Sequence, residues 1–136
     1  MTFKIQMCKE FNTIRTLHKL CFDVDSLPRD PNVFWWLITC GGEPAGFGGY
    51  QQSHQFSNAI YLCRSGVLKG YRGNNLQKKL IRVRINHAKK LGYEWAVTDT
   101  RDNPASVNSL ISCGFKSYEP INPWAFSNSM YWRKEL

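Results

Sequence analysis

The stretch of this chain best suited to chemistry is Val67-Leu68-Lys69-Gly70-Tyr71-Arg72-Gly73-Asn74-Asn75-Leu76-Gln77-Lys78-Lys79-Leu80-Ile81. It follows an apolar run, Ala59-Ile60-Tyr61-Leu62-Cys63, that reads as a strand, and it opens into the longest helical pattern in the sequence. A strand, a tight turn and the first turn of a helix gather backbone N–H groups that have no intrahelical acceptor. The helix dipole adds partial positive charge there, so the stretch suits an anion, above all a phosphate. Lys69 and Arg72 before the helix, and Lys78 and Lys79 in its first turns, deepen that preference. Asn74 and Asn75 fit because asparagine tolerates turn geometry and can cap a helix.

Length and composition bound what can carry such a site. The 136 residues predict one domain, spanning 1–136, with room for a real core. An apolar content of 43% with five Trp, six Tyr and eight Phe excludes a disordered chain. No segment approaches the ~18 apolar residues of a membrane helix, so no membrane partner is expected. The start, Met1-Thr2-Phe3-Lys4-Ile5, lacks the apolar core of a signal peptide, which predicts a cytoplasmic location. Five scattered cysteines without a CxxC pair predict reduced thiols and no metal site. The net charge of +8 predicts an anionic partner, whether nucleotide cofactor, nucleic acid or acidic protein.

The elements that must position the site follow from periodicity. Phe3, Ile5 and Met7 alternate as a first strand, and Asn12 or Thr13 caps a helix with Ile14, Leu17, Leu20 and Cys21 inward. Asp23 to Asp30 is an acidic, proline-containing loop. Residues 33–39 form a central strand apolar on both faces, and Gly41-Gly42-Glu43-Pro44 turns it into a partner over 45–50. Gly46, Gly48 and Gly49 predict a bulge or a close backbone approach there. His54 falls in a polar loop over 51–58 and reads as solvated. After the strand 59–67, a helix over 74–91 carries Leu76, Leu80, Val83, His87 and Leu91 on one stripe, with Ile81, Ile85 and Ala88 beside it. Lys78, Lys79, Arg82, Lys89 and Lys90 take its outer face, and His87 reads as a core histidine. A strand over 95–100 leads to Asn103-Pro104-Ala105-Ser106, an N-cap with proline at the first helical position. That helix turns Val107, Leu110 and Ile111 inward, and two last strands cover 115–118 and 127–134. The sum is β-α-β-β-β-α-β-α-β-β, an α/β (α+β) sheet of mixed pairing with helices on both faces.

Three segments together resemble the GCN5-related N-acetyltransferase superfamily: Glu43-Pro44-Ala45-Gly46-Phe47-Gly48, then Val67-x-x-x-x-Arg72-Gly73-x-x-Leu76, then Asn103-x-x-Ser106 ending in Cys113-Gly114-Phe115. The resemblance runs from the first strand to the last. It implies a largely antiparallel sheet of six to seven strands whose fourth and fifth strands splay apart to admit acetyl-CoA. It places cofactor contacts at Val67, Leu68, Lys69, Arg72, Gly73, Asn74, Asn75, Leu76 and Gln77, with Asn103 and Ser106 facing them. The family's two small loop positions are here Asn75 and Gln77, and Leu110 stands where many members carry a tyrosine that protonates the departing thiolate.

The reaction so implied is attack of a neutral amine on a thioester, with a backbone amide stabilising the oxyanion. The resemblance puts the general base on the fourth strand, at Tyr61 or Cys63, with a water relay or an acceptor bound already neutral as the alternative, and Asp99 ends the fifth strand near the same opening. Strict alternation places Tyr61, Cys63 and Ser65 on one face. The leading expectation is an acetyl-CoA-dependent N-acetyltransferase acting by direct attack on an amine of a small molecule or protein. The acidic segment at Asp23 to Asp30 and the loop at Pro120 to Phe126 would border the acceptor. The alternative is an inactive member of the fold whose basic surface engages nucleic acid or an acidic protein. Trp124 and Trp132, if exposed, would support a homodimer.

Overall fold

The computed structural model describes residues 1–22, 26–27 and 31–136. The expected element order is observed: β1 (Phe3–Cys8), α1 (Phe11–Cys21), β2 (Phe34–Cys40), β3 (Glu43–Gln52), β4 (Ala59–Val67), α2 (Leu76–Lys90), β5 (Trp95–Thr100), α3 (Pro104–Ser112), β6 (Lys116–Tyr118) and β7 (Met130–Glu135). A single 3-10 turn, Lys69–Tyr71, joins β4 to the loop before α2. The strands form one seven-stranded sheet in the order β1-β2-β3-β4-β5-β7-β6. Every pairing is antiparallel except β4 with β5.

Two apolar clusters sandwich the sheet. On one face Ile14 and Leu17 of α1 meet Trp35 and Phe47, and on the other α2 and α3 bring Leu76, Leu80, Ile81 and Leu110 against Trp36, Ile38, Tyr50 and Leu62. Trp35 and Trp36, adjacent in β2, serve opposite clusters, as a strand apolar on both faces requires. Gly49 meets the ring of Trp35 so closely that a Cβ there would lie 2.5 Å from Cε3.

Several helix positions differ from the periodicity reading. α1 begins at Phe11 with Glu10 before it, and no side chain caps it; the Glu10 carbonyl takes the first amides, so neither Asn12 nor Thr13 is the cap. Leu20 is 66% exposed while His18 is buried, because 14, 17, 18 and 21 keep i, i+3, i+4, i+7 spacing and 20 does not. Leu91, just past α2, and Ile111, on the outer side of α3, are likewise exposed. His87 behaves as a core histidine: its Nδ1 lies 2.6 Å from the Tyr50 hydroxyl and its ring packs on Trp36 and Phe34. Trp132 is buried, its Nε1 donating to Thr100 Oγ1 at 3.0 Å, and Trp124 is half-buried against Tyr131, so neither is the fully exposed indole that the dimer expectation rested on.

Two irregularities in β4 shape the opening of the sheet. Ser65 faces Gly48 and Leu62 faces Tyr50, so β4 advances three residues where β3 advances two. This bulge overturns the strict alternation of Tyr61, Cys63 and Ser65. Cys63 packs with the α1 cluster, whereas Ser65 has crossed to the α2 side and donates to Gln77 Oε1 at 3.1 Å. On its other edge β4 pairs with β5 only at Ala59–Trp95, Ile60–Ala96 and Tyr61–Val97. Both strands run on beyond that point, so they part. Thr98 Oγ1 donates to the Leu62 carbonyl at 2.9 Å and closes the vertex of the fork.

Candidate active site

A cleft occupies the fork. Its outer chamber, about 510 Å³, is lined by Val67, Arg72, Gly73, Asn75 and Leu76. Its inner chamber, about 230 Å³, is lined by Tyr61, Cys63, Arg84, Asp99, Leu110 and Phe126. Ser65, Gln77, Asn103, Ser106 and Ser109 border both, so the two chambers adjoin with Gln77 at the junction.

The outer end is built from backbone. Gly73 has φ +87° and Asn75 φ +59°, left-handed conformations of the kind found where successive N–H groups line a concavity. From Gly73 through Lys78 no backbone N–H donates to a carbonyl or side chain among the described residues; the first intrahelical bond runs from Lys79 to Asn75. Such a row at a helix start, beside Arg72 and Lys78, has the donors and the charge that suit an anion. The Asn75 side chain does not cap the helix, and Asn74 turns back to donate to the Tyr71 carbonyl at 2.9 Å. The left-handed turn at 75 accepts asparagine, the residue other than glycine that best tolerates it. Gln77 is tied sideways to Ser65. Of the residues expected around a cofactor, Val67, Arg72, Gly73, Asn75, Leu76, Gln77, Asn103 and Ser106 line the cleft. Leu68, Lys69 and Asn74 do not: the Leu68 amide is spent on the Ala45 carbonyl, and its side chain packs with the α1 cluster. On the far wall Asn103 caps α3 as expected, its Oδ1 accepting from the Ser106 amide at 3.1 Å.

The inner end holds the ionisable groups. Tyr61 donates to Asp99 Oδ1 at 2.7 Å across the fork, joining two residues that the sequence offers only as separate candidates. Burial, reinforced by the Asp99 charge, drives the Tyr61 phenol far above its ordinary range. Tyr61 is therefore a fixed hydrogen-bond donor at neutral pH and no base. Burial likewise pushes the Cys63 thiol up to about 11, against the pull of Arg84, which rules out a neutral-pH thiolate. Asp99 is the single carboxylate among the described residues lining this chamber. Of the segments expected at the acceptor end, Phe126 lines the chamber, with Arg101 stacked 3.9 Å over its ring. Asp23, Asp25 and Asp30 lie outside the described residues. His54 is exposed and contacts Gln51 away from the cleft.

Arg84 was missed by sequence reasoning. It is 2% exposed on α2, with Nε donating to Leu80 O at 3.0 Å and Nη1 to Gly49 O at 2.9 Å. Its register was the signal: 84 follows Leu80 by four and precedes Ala88 by four, on the apolar stripe rather than the basic face. Gly48 leaves room for it, since a Cβ there would stand 3.4 Å from the guanidinium carbon.

Comparison with known proteins agrees with this arrangement. No curated protein matches the sequence. The fold is that of many solved acetyltransferases: an IAA acetyltransferase from Bacillus cereus is 15% identical with TM-score 0.79, covering 99% of this chain and 100% of that one. The ribosomal-protein-S18-alanine N-acetyltransferase from Escherichia coli is 15% identical with TM-score 0.77, covering 98% and 94%. A Bacillus subtilis acetyltransferase solved in complex with CoA is 16% identical with TM-score 0.78, covering 99% of each chain. The sequence itself matches the acetyltransferase (GNAT) family over residues 5–115. The chain therefore belongs to the GNAT acetyltransferase family, N-acetyltransferases that take their acyl group from acetyl-CoA.

Proposed function

We propose that residues 1–136 act as a single domain that transfers acetyl from acetyl-CoA to an amine by direct attack in a ternary complex. The observation that carries this reading is the parting of β4 from β5 over one cleft, with uncommitted amides at one end and Asp99 at the other. In this reading the amides of Gly73 to Lys78 hold the diphosphate. The open edge of β4 from Ser65 to Val67 pairs with the pantetheine arm, while Asn103 and Ser106 line the opposite wall. The CoA-bound Bacillus subtilis structure of the same fold supports taking the cleft as a coenzyme A cleft.

At the inner end the amine attacks the thioester carbon. The nitrogen becomes acidic as the C–N bond forms, and Asp99, oriented by the Tyr61 hydroxyl, takes its proton. Small amines and protein N-termini are the acceptor classes to test, the latter because one neighbour acts on an alanine of ribosomal protein S18. The test is a thermal shift with saturating acetyl-CoA, followed by thiol release across polyamines, aminoglycosides, amino acids and peptide N-termini. Binding and turnover with one class support the proposal. Absence of any shift refutes it.

A further inference from the structure

We infer that Arg84 supplies the positive charge on which the coenzyme A sulfur departs as a thiolate. This rests on the cleft being the acetyl-CoA site proposed above.

Arg84 is a buried cation lining the inner chamber, and no carboxylate pairs with it among the described residues. Its two hydrogen bonds, from Nε and Nη1, go to neutral carbonyls, leaving Nη2 without a partner among those residues. Burial lowers its pKa to about 10, which keeps it charged at neutral pH. An uncompensated buried charge is costly to a fold and is offset when an anion arrives beside it. The proposed reaction generates such an anion. As the amine nitrogen bonds to the acyl carbon, the C–S bond breaks and its electron pair stays on sulfur. The amine proton passes to Asp99 and then to water, so the sulfur leaves as a thiolate.

The other groups facing the chamber do not protonate that sulfur. On β4, the Tyr61 hydroxyl is engaged as a donor to Asp99 Oδ1, and Arg64 lies over the Phe22 ring at 5.5 Å. The Cys63 thiol, also on β4, packs with the α1 cluster. Past the vertex on β5, Asp99 accepts from the Tyr61 hydroxyl, and Arg101, just beyond, is exposed and stacked on Phe126. From α3 come Ser106, Ser109 and the apolar Leu110, none of which titrates near neutrality. Arg84, from α2, is the one buried cation among the described residues of this wall.

The test compares CoA with desulfo-CoA, which lacks the thiol, by calorimetric titration of the wild-type protein between about pH 6.5 and about pH 9.5. A free thiol of this kind titrates near ~8.5. The expected result is that CoA gains at least about tenfold in affinity over desulfo-CoA as the pH rises, with the bound thiol titrating about one unit lower. Arg84→Met should abolish that gain and lower kcat while leaving acetyl-CoA affinity within about threefold, and Arg84→Lys should restore part of both. Identical pH courses for CoA and desulfo-CoA in the wild type would overturn the inference even if the variants fail to fold, as would an unchanged kcat in a folded Arg84→Met. Failure of both ligands to bind would remove the cleft assignment itself, and this inference with it.

Discussion

Replacing Asp99 by asparagine removes the one carboxylate among the described residues of the inner chamber while changing its shape very little. The Asn Oδ1 can still accept the Tyr61 hydroxyl, which in the wild type lies 2.7 Å from Asp99 Oδ1, and the strand pairing of residue 99 with Tyr131 uses backbone alone. Stability and acetyl-CoA affinity should therefore stay close to wild type, because the proposed diphosphate cradle lies at the other end of the cleft. What disappears is the proposed proton acceptor. General-base catalysis contributes about 10²–10⁴-fold, and the lower end suits a half-buried residue in a cleft that water can enter. The expected loss is about 10²-fold in kcat, equivalent to roughly 2.7 kcal/mol of transition-state stabilisation. The assay is steady-state thiol release with the best acceptor, alongside a melting curve and an acetyl-CoA titration. A drop smaller than about threefold in a folded variant would refute Asp99 as the acceptor of the proton. An equal fall in acetyl-CoA affinity would instead make it a binding group.

Three other substitutions probe the framework. Asn75→Gly should leave or slightly raise stability, while Asn75→Val should cost about 1–2 kcal/mol and weaken CoA binding, because φ +59° suits glycine and opposes a β-branched residue; denaturant titration and calorimetry read both. Gly49→Ala should destabilise by about 1–3 kcal/mol in denaturant melts, since its Cβ would fall 2.5 Å from the Trp35 ring. Tyr61, whose phenol titrates far higher folded than unfolded, contributes stability that is complete below about pH 10 and declines above it, as the unfolded chain loses its proton first. Tyr61→Phe should accordingly flatten the fall of stability between about pH 10 and about pH 11 by up to roughly 1.4 kcal/mol per unit, and a slope equal to that of wild type would contradict the burial argument.

How much of the fold and site was legible in the sequence depends on whether a feature is local. The α3 start was readable from Asn103, Pro104 and Ser106, because a cap is made by neighbours in sequence and the bond is present at 3.1 Å. The amide row after Arg72 was readable as a strand, a turn and a helix start in succession, although its working conformation depends on left-handed turns at Gly73 and Asn75 that composition only suggests. The β4 bulge was not readable, since the extra residue is defined by register against β3, and it moved Ser65 to the other face. The Tyr61–Asp99 pair joins residues 38 apart and exists only because β4 and β5 lie side by side in parallel. Arg84 was obscured by its company, a helix crowded with exposed Lys and Arg, although its place among the apolar positions set it apart.

The claim on which the rest stands is that the amides of Gly73 to Lys78 receive the diphosphate of coenzyme A. Amide-resolved NMR during a CoA titration tests it most directly. The largest shifts and new exchange protection are expected at Gly73 through Lys78, with a second set along Ser65 to Val67. Saturable binding that leaves those amides unmoved, or no binding at all, would contradict it.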